Sequence, residues 1–254
     1  MIQTAERSSA RSASENPIYQ RHIIAYQEAA TRIGGYVLEV GCGEGYGISI
    51  LAPVCDQYLG IDKFPTQIDL PKHARILQLE VPPFTGLADD SFDYVVSFQV
   101  IEHIQDDLRF LQEIRRVLKP GGKLILTTPN RLMSLSRNPW HIREYVPGEM
   151  KGILTEVFDA KKVELLGVFG NEKVMAYYEK NKASIRRFTR FDVFNLQYKL
   201  PRRLLQIPYD MANRLNRVLL KKENEGLVND IVASDYYLAP VNEQALDYFA
   251  IVTK

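Results

Sequence analysis

The segment V-L-E-V-G-C-G-E-G-Y-G, residues 37–47, constrains this chain more than any other. A short apolar run enters glycines at 41, 43, 45 and 47, and helix-forming residues follow. Glycine is needed where a backbone must turn sharply and lie close to a ligand, because a Cβ would block both. A helix N-terminus behind such a turn adds unpaired N–H groups and the positive end of its dipole. A dinucleotide pyrophosphate calls for G-x-G-x-x-G. Counted from Gly41, the third glycine position of that pattern falls on Tyr46, so the fingerprint fails and G-x-G-x-G stands instead. A loop of this kind suits a ligand that offers a carboxylate and an amino group and has no pyrophosphate. Twenty-one residues after Gly41 comes Asp62, closing the run Y-L-G-I-D. A carboxylate at that point accepts hydrogen bonds from both ribose hydroxyls of a nucleoside. The plain alternative, a surface aspartate at a strand end, is weakened by the glycine loop that precedes it.

The surrounding pattern alternates short apolar runs with longer amphipathic ones, the mark of repeated β-α units on a parallel sheet. Residues 36–40, 58–61, 74–79, 92–98 and 123–128 read as five strands. Residues 107–118 place Leu108, Leu111, Ile114, Val117 and Leu118 on one helical face, and Pro120-Gly121-Gly122 stops that helix. A helix over 17–33 precedes the sheet, with Gly34-Gly35 as its cap and turn. After Pro129 come a loop, a helix from about residue 147 and a strand over 163–168. A mostly helical stretch over 171–222, interrupted at Pro201 and Pro208, and a last strand over 246–252 complete the order.

Length and composition set bounds on this reading. The 254 residues fit one elaborated α/β domain, or a core with an appended segment. With 46% hydrophobic and 25% charged residues, whole-chain disorder is excluded, and no apolar run approaches the roughly 18 residues of a membrane span. Residues 1–15 are small and polar without an apolar h-region, so they read as a loose tail and not as a secretory signal. Cys42 and Cys55 are too few for a disulfide framework or a Cys-rich zinc site, which points to the reducing cytoplasm. The net charge of +1 hides an asymmetry. Residues 180–222 carry twelve basic side chains against Asp192 and Asp210, an excess of ten, whereas 223–253 carry six acids and no base.

Together with S-F-D-Y-V-V-S-F-Q-V-I-E-H-I (91–104) and L-Q-E-I-R-R-V-L-K-P-G-G-K-L-I-L-T-T-P-N (111–130), the glycine loop and Asp62 make the chain resemble the class I S-adenosylmethionine-dependent methyltransferases, over about residues 17–170. The resemblance implies an α/β fold: a Rossmann-like doubly wound, mostly parallel seven-stranded sheet with an antiparallel last strand and a helical insertion. It divides the chain into a tail (1–16), a cofactor-binding core (17–170 and 241–254) and a basic helical insertion (171–240) that serves as an acceptor-side lid. It implies S-adenosyl-L-methionine as cofactor and S-adenosyl-L-homocysteine as product. Glu39, Gly41, Cys42 and Gly43 are placed around the methionine end and Asp62 at the ribose, and Phe98 or Gln99 supplies a carbonyl to the methionine amino group. Family members often carry an acid after the third strand for the adenine amine. Here Gln78 falls at that position, beside Leu79, and a glutamine oxygen still accepts from an amine.

His103 follows Glu102 in an E-H pair that the family frequently shows; orienting the acceptor and supporting the helix start are its two readings. His141 lies in N-P-W-H-I-R-E-Y (138–145), a loop resembling that of methyltransferases of surface-glycan and lipid-linked pathways. General base, substrate positioning and loop packing all remain open for it. Tyr19 and Tyr26, seven apart on the first helix, either cover the cofactor or pack on the sheet. In the insertion, Phe188, Phe191, Phe194 and Tyr198, and Met211, Leu215, Val218 and Leu219, recur at helical spacing and read as faces docked on the core. The cationic faces read either as solvated surface or as a site for an anionic acceptor, RNA or a membrane surface. The expected activity is methyl transfer to an O or N atom of a small-molecule, glycan or lipid-linked acceptor, with no metal. A non-catalytic S-adenosylmethionine-binding protein with a basic RNA- or membrane-binding arm is the other reading.

Overall fold

The computed structural model describes residues 13–66, 68–190, 192 and 195–254. Most of the expected tail, together with Phe191, Phe194 and the side chain of Phe188, lies outside the described residues.

Eight strands form one sheet: β1 (Tyr36–Val40), β2 (Gln57–Asp62), β3 (Ala74–Gln78), β4 (Phe92–Phe98), β5 (Leu118–Pro129), β6 (Val163–Gly170), β7 (Tyr236–Pro240) and β8 (Asp247–Thr253). Their order is β3-β2-β1-β4-β5-β8-β6-β7. The first five run parallel, and β8 lies antiparallel to both β5 and β6. The expected antiparallel last strand is therefore present. The expected count of seven strands is corrected to eight by β7. That strand is short, ends in a proline and sits at the sheet edge, where an N–H is not required for a ladder. A second correction concerns 118–122. Pro120-Gly121-Gly122 falls inside the long strand β5, and the irregularity it introduces shows as a register shift against β4 between Phe92 and Tyr94.

The helices are α1 (Asn16–Ala30), α2 (Ile48–Leu51), α3 (Asp107–Val117), α4 (Pro147–Val157), α5 (Glu172–Thr189), α6 (Leu196–Lys199), α7 (Arg202–Glu223) and α8 (Glu225–Asp230). α3 forms as its periodicity dictates. Asp106 caps it by accepting from the Arg109 N–H at 3.0 Å, and Phe110, Leu111, Ile114 and Val117 are fully buried. They join Leu38, Val95, Leu124 and Leu126 of the central strands in one core with Met150 and Leu154 of α4. Strands buried on both faces read as continuous Val/Ile/Leu runs, which is why β1 and β4 were legible.

Two compact units divide the chain, with the boundary inside α1 between His22 and Ile23. One contains Ile23–Met133, Arg143–Phe169 and Leu238–Lys254, and it carries nearly the whole sheet. The other contains residues 13–22, Ser134–Ile142 and Gly170–Tyr237. Within that second unit α5 and α7 pack through Asn216, which donates to Asn181 at 2.8 Å and accepts from the Ser184 hydroxyl at 2.6 Å. Asn16 donates to the carbonyls of Val228 and Ile231, both at 2.8 Å, and Arg217 pairs with Glu15 at 3.2 Å. Asp235 accepts from Lys173 at 2.6 Å and from Asn171 at 2.8 Å.

Candidate functional site

Strand order reverses between β1 and β4, and in open parallel sheets ligands bind outside the carboxyl ends of the strands at such a switch point. Registers Val40↔Ile61, Val40↔Ser97 and Asp62↔Gln78 bring four strand ends to that edge together. Glu39, the 41–47 loop, Asp62, Gln78, Leu79, Phe98 and Gln99 are thereby gathered at one side of one unit.

The loop is fastened to β2. The N–H groups of Gly41 and Cys42 both donate to the Ile61 carbonyl, at 2.8 and 3.1 Å. Asp62 accepts the Gly43 N–H on Oδ2 and the Phe64 N–H on Oδ1, each at 2.9 Å. A carboxylate offers about four lone-pair sites, the kind of acceptor that the two hydroxyls of a ribose call on. The Thr66 hydroxyl donates to the Gly43 carbonyl at 2.6 Å, so both backbone groups of Gly43 are held.

The glycines then separate into two kinds. A Cβ on Gly41 would strike Val100, one on Gly45 would strike Ile68, and one on Gly47 would enter the Tyr26 ring. Those three glycines are required by the protein's own packing. Gly43, at φ +55°, faces open space: among the described residues, nothing lies within 4 Å of where its Cβ would stand. A held backbone with an empty cradle on its open side fits a nucleoside whose ribose reaches Asp62. Cys42 is buried, with its sulfur against the place a Gly60 Cβ would take.

Glu39 is only 1% exposed. The Tyr26 hydroxyl donates to its Oε1 at 2.6 Å, and the Tyr58 hydroxyl donates to its Oε2. Burial pushes its carboxyl above the usual glutamate range, an effect the two phenols partly offset. Both phenols are themselves raised well above their ordinary value, chiefly by burial and then by the neighbouring Glu39. Tyr26 also meets Phe98 edge-on at 4.8 Å and Tyr46 at 5.5 Å, so α1 is clamped onto the glycine loop. Of the two readings for Tyr26, packing on the sheet is the one its surroundings display.

Gln78 donates its Nε2 to the Lys63 carbonyl at 3.0 Å, which leaves the amide oxygen as the acceptor end. Leu79 is tied to Asp62 by an N–H···O bond of 2.9 Å. Gln99 has left-handed backbone (φ +57°), fixed by its N–H on the Thr127 carbonyl at 3.0 Å, and this turns the chain sharply at the end of β4.

His103 closes a short turn, Ile101–His103, with Nε2 4.0 Å from Glu102 Oε1. Glu102 is buried and accepts from the Thr128 hydroxyl at 2.9 Å. His141 belongs to the other unit. There its Nε2 lies 2.8 Å from Asn138 Nδ2, while Asn138 Oδ1 accepts the Trp140 N–H at 3.0 Å. An amide N–H only donates, so in this contact Nε2 is the accepting ring nitrogen. The remaining histidine contact at the sheet, His73 Nε2 with the Ala52 carbonyl at 2.9 Å, matches a satisfied structural residue. Sequence reasoning missed Tyr58 and Thr66. The Thr66 hydroxyl in F-P-T, two residues after Phe64, had a usable signal as a turn residue beside Asp62, whereas Tyr58 had none.

Comparison with known proteins agrees with this geometry. A methyltransferase domain family model matches residues 38–126. A probable S-adenosylmethionine-dependent methyltransferase of Mycolicibacterium smegmatis is 32% identical, over 96% of this chain and 90% of its own length. A ubiquinone biosynthesis O-methyltransferase of Coxiella burnetii is 32% identical over 46% of this chain and 51% of its own. Among solved structures, a putative sarcosine dimethylglycine methyltransferase from Galdieria sulphuraria shares the fold at TM-score 0.53 and 15% identity, covering 93% of this chain and 86% of that one. With a relative at that identity matched nearly end to end, and with the glycine cradle and Asp62 at the switch point of the sheet, the chain belongs to the S-adenosylmethionine-dependent methyltransferases.

Proposed function

We propose that this methyltransferase acts on an O or N atom of a small-molecule, glycan or lipid-linked acceptor. Bound S-adenosyl-L-methionine supplies a methyl group already activated by a positive sulfur. The protein's task is then mainly alignment, and well-oriented reactants recover roughly 7–11 kcal/mol of barrier. In this reading Asp62 takes the ribose hydroxyls while its bond to the Gly43 N–H holds the loop at the distance the nucleoside requires. Gln78 presents its oxygen to the adenine amine, beside Leu79, and the Phe98–Gln99 turn supplies a carbonyl to the methionine amino group. Gly41 and Cys42 shape the loop. Glu39, engaged by two phenols, acts as a positioning residue that fastens α1 and β2 to the glycine turn.

His103 is our choice for the group that accepts the acceptor's proton or holds it in place, because it shares a unit with the cofactor cradle and stands beside the buried Glu102 carboxylate. His141, engaged by Asn138 through Nε2, positions its loop and contributes to acceptor binding. The likeness to a relative named as an O-methyltransferase supports a hydroxyl acceptor. The observation that carries the proposal is the open cradle at Gly43 directly bonded to Asp62.

The test is production of S-adenosylhomocysteine from labelled cofactor with polar-metabolite, glycan and lipid extracts offered separately. Label recovered in one of those fractions supports the proposal. Turnover only with protein or nucleic acid, or tight cofactor binding with no turnover in any fraction, overturns it.

A further inference from the structure

Met211, Leu215, Val218 and Leu219, read from sequence as a face docked on the core, are exposed in the structure, and Leu204 and Ile207 extend that face. Leu204, Ile207, Met211, Leu215 and Val218 recur every three or four residues, and each is between 52% and 72% exposed. At about 100° per residue they fall in a stripe roughly 80° wide. The opposite side carries Asn216 and Leu220, which are buried. α7 therefore has one face packed inside its unit, and an apolar face with no protein covering it among the described residues. A helix of 22 residues is about 33 Å long, so the stripe is a ridge and not a scatter of single exposed residues.

Charge decides what covers it. On the same helical wheel Arg203, Arg214 and Lys221 line one edge of the stripe, and Lys222 ends it. Of the helix's two acids, Asp210 already accepts the Trp140 Nε1–H at 2.9 Å, and Glu223 is the last residue. The exposed Arg186 and Arg187 of α5 add to the positive charge of the same unit. Aliphatic side chains flanked by cations are the composition of helices that lie in a membrane interface: the apolar face enters the acyl boundary while Arg and Lys reach anionic headgroups. A second copy of this helix would bring no anionic partner to that edge. RNA is bound by stacking on aromatic rings, and this stripe has none. No helix among the described residues is long and apolar enough to cross a membrane, so the mode is lying on the surface.

We infer that α7 is a peripheral docking helix for an anionic lipid surface. This inference is independent of the acceptor assignment above.

Trp140 is the sole tryptophan of the chain and is bonded to α7 through Asp210, so its emission reports on this helix. The experiment uses the whole protein with phosphatidylcholine vesicles and with vesicles of about three parts phosphatidylcholine to one part phosphatidylglycerol, read by co-sedimentation and Trp140 fluorescence. Binding to the anionic vesicles only, weakened when salt rises from about 0.05 to 0.5 M, is expected. Ile207→Gln/Met211→Gln/Leu215→Gln should reduce vesicle partition at least about tenfold, as should Arg203→Glu/Arg214→Glu/Lys221→Glu, with S-adenosylmethionine affinity unchanged in both. If the triple glutamine variant does not fold, Ile207→Glu alone makes the same test. Equal binding to neutral and anionic vesicles, no vesicle binding, an RNA mobility shift without vesicle binding, or a dimer that the glutamine variant turns into monomer would each overturn the inference.

Discussion

Substituting alanine at Gly43 and at Gly47 separates the two kinds of glycine in the loop. At Gly43 the backbone has φ +55°, and alanine in left-handed conformation costs about 1–2 kcal/mol. No atom of the described residues lies within 4 Å of the new methyl, and the bonds to Asp62 and Thr66 use backbone groups that alanine retains. The fold should survive, with Tm lowered by about 2–8 °C. The cofactor, in contrast, must share its cradle with a methyl group. Overpacking of that sort costs about 1–3 kcal/mol, which converts to a roughly 5–150-fold weaker Kd for S-adenosylhomocysteine. At Gly47 the signs reverse. Its φ of −68° is ordinary helical backbone, so alanine brings no backbone strain, yet its methyl would lie inside the Tyr26 ring. Either the ring moves and gives up its bond to Glu39, which leaves a buried oxygen without that donor at a cost of about 1–3 kcal/mol, or the loop shifts. Tm should therefore fall further than for Gly43→Ala. Adding Tyr26→Ala should recover part of the loss, a coupling of about 0.5–3 kcal/mol. Thermal denaturation and titration calorimetry on these three variants, with Tyr26→Ala alone to complete the cycle, decide the matter. Wild-type Kd in Gly43→Ala would show that the cofactor does not use that space, and wild-type Tm in Gly47→Ala would refute the packing argument.

Asp62→Ala should weaken S-adenosylmethionine binding by about 1–3 kcal/mol, and calorimetry should show no NAD binding by the parent; NAD binding in place of the sulfur nucleoside would overturn the loop assignment. Glu113 is held below the usual carboxylate range first by its bond to Arg116, at 3.0 Å, and it also accepts the Phe84 N–H at 2.8 Å. A lowered folded pKa means that its stabilisation is present above about pH 4.3 and lost as pH falls through the folded value; Glu113→Gln should destabilise at pH 7 and lose that difference on acidification, as read by denaturant titration. His103→Ala should lower turnover by about 10²-fold or more with cofactor affinity retained, whereas Asn138→Ala should change acceptor KM more than kcat; the reverse pattern would exchange the roles assigned to His103 and His141.

The parallel core was legible because its signals are local. Strand, glycine turn and Asp62 fall within 27 residues, and a buried parallel strand leaves a continuous apolar run at each turn of the chain. Helix α3 was legible for the same reason: its cap and its one apolar face lie within a dozen residues. The hold on Glu39 was not. Its two phenols come from positions 13 residues before it and 19 after, each within a segment whose pattern signals only burial. Nothing in a strand reading Q-Y-L-G-I-D says that Tyr58 reaches a neighbouring strand's carboxylate; that follows from the register Tyr58↔Val37, known only once β1 and β2 are paired. β7 escaped notice because an edge strand of five residues with half-exposed side chains has no sustained alternation to read.

Periodicity failed differently at α7. An apolar stripe predicts that a helix has a face to bury, but not which neighbour buries it. Here the chain carries apolar residues on both sides, with Leu220 inward and Leu204, Ile207, Met211, Leu215 and Val218 outward, and the sequence reading attached Met211, Leu215 and Val218, with Leu219, to the core. The inward side is settled by specific polar pairs, Asn216 with Asn181 and Ser184, which hold α7 in a single rotational setting against α5. A satisfied buried amide of this sort is costly to break, so α7 cannot roll to hide its outer stripe without leaving Asn216 unpaired. That constraint explains why the exposed ridge persists in the folded chain. It also gives the ridge a fixed direction, with cations along one edge, as a surface that docks in one orientation requires.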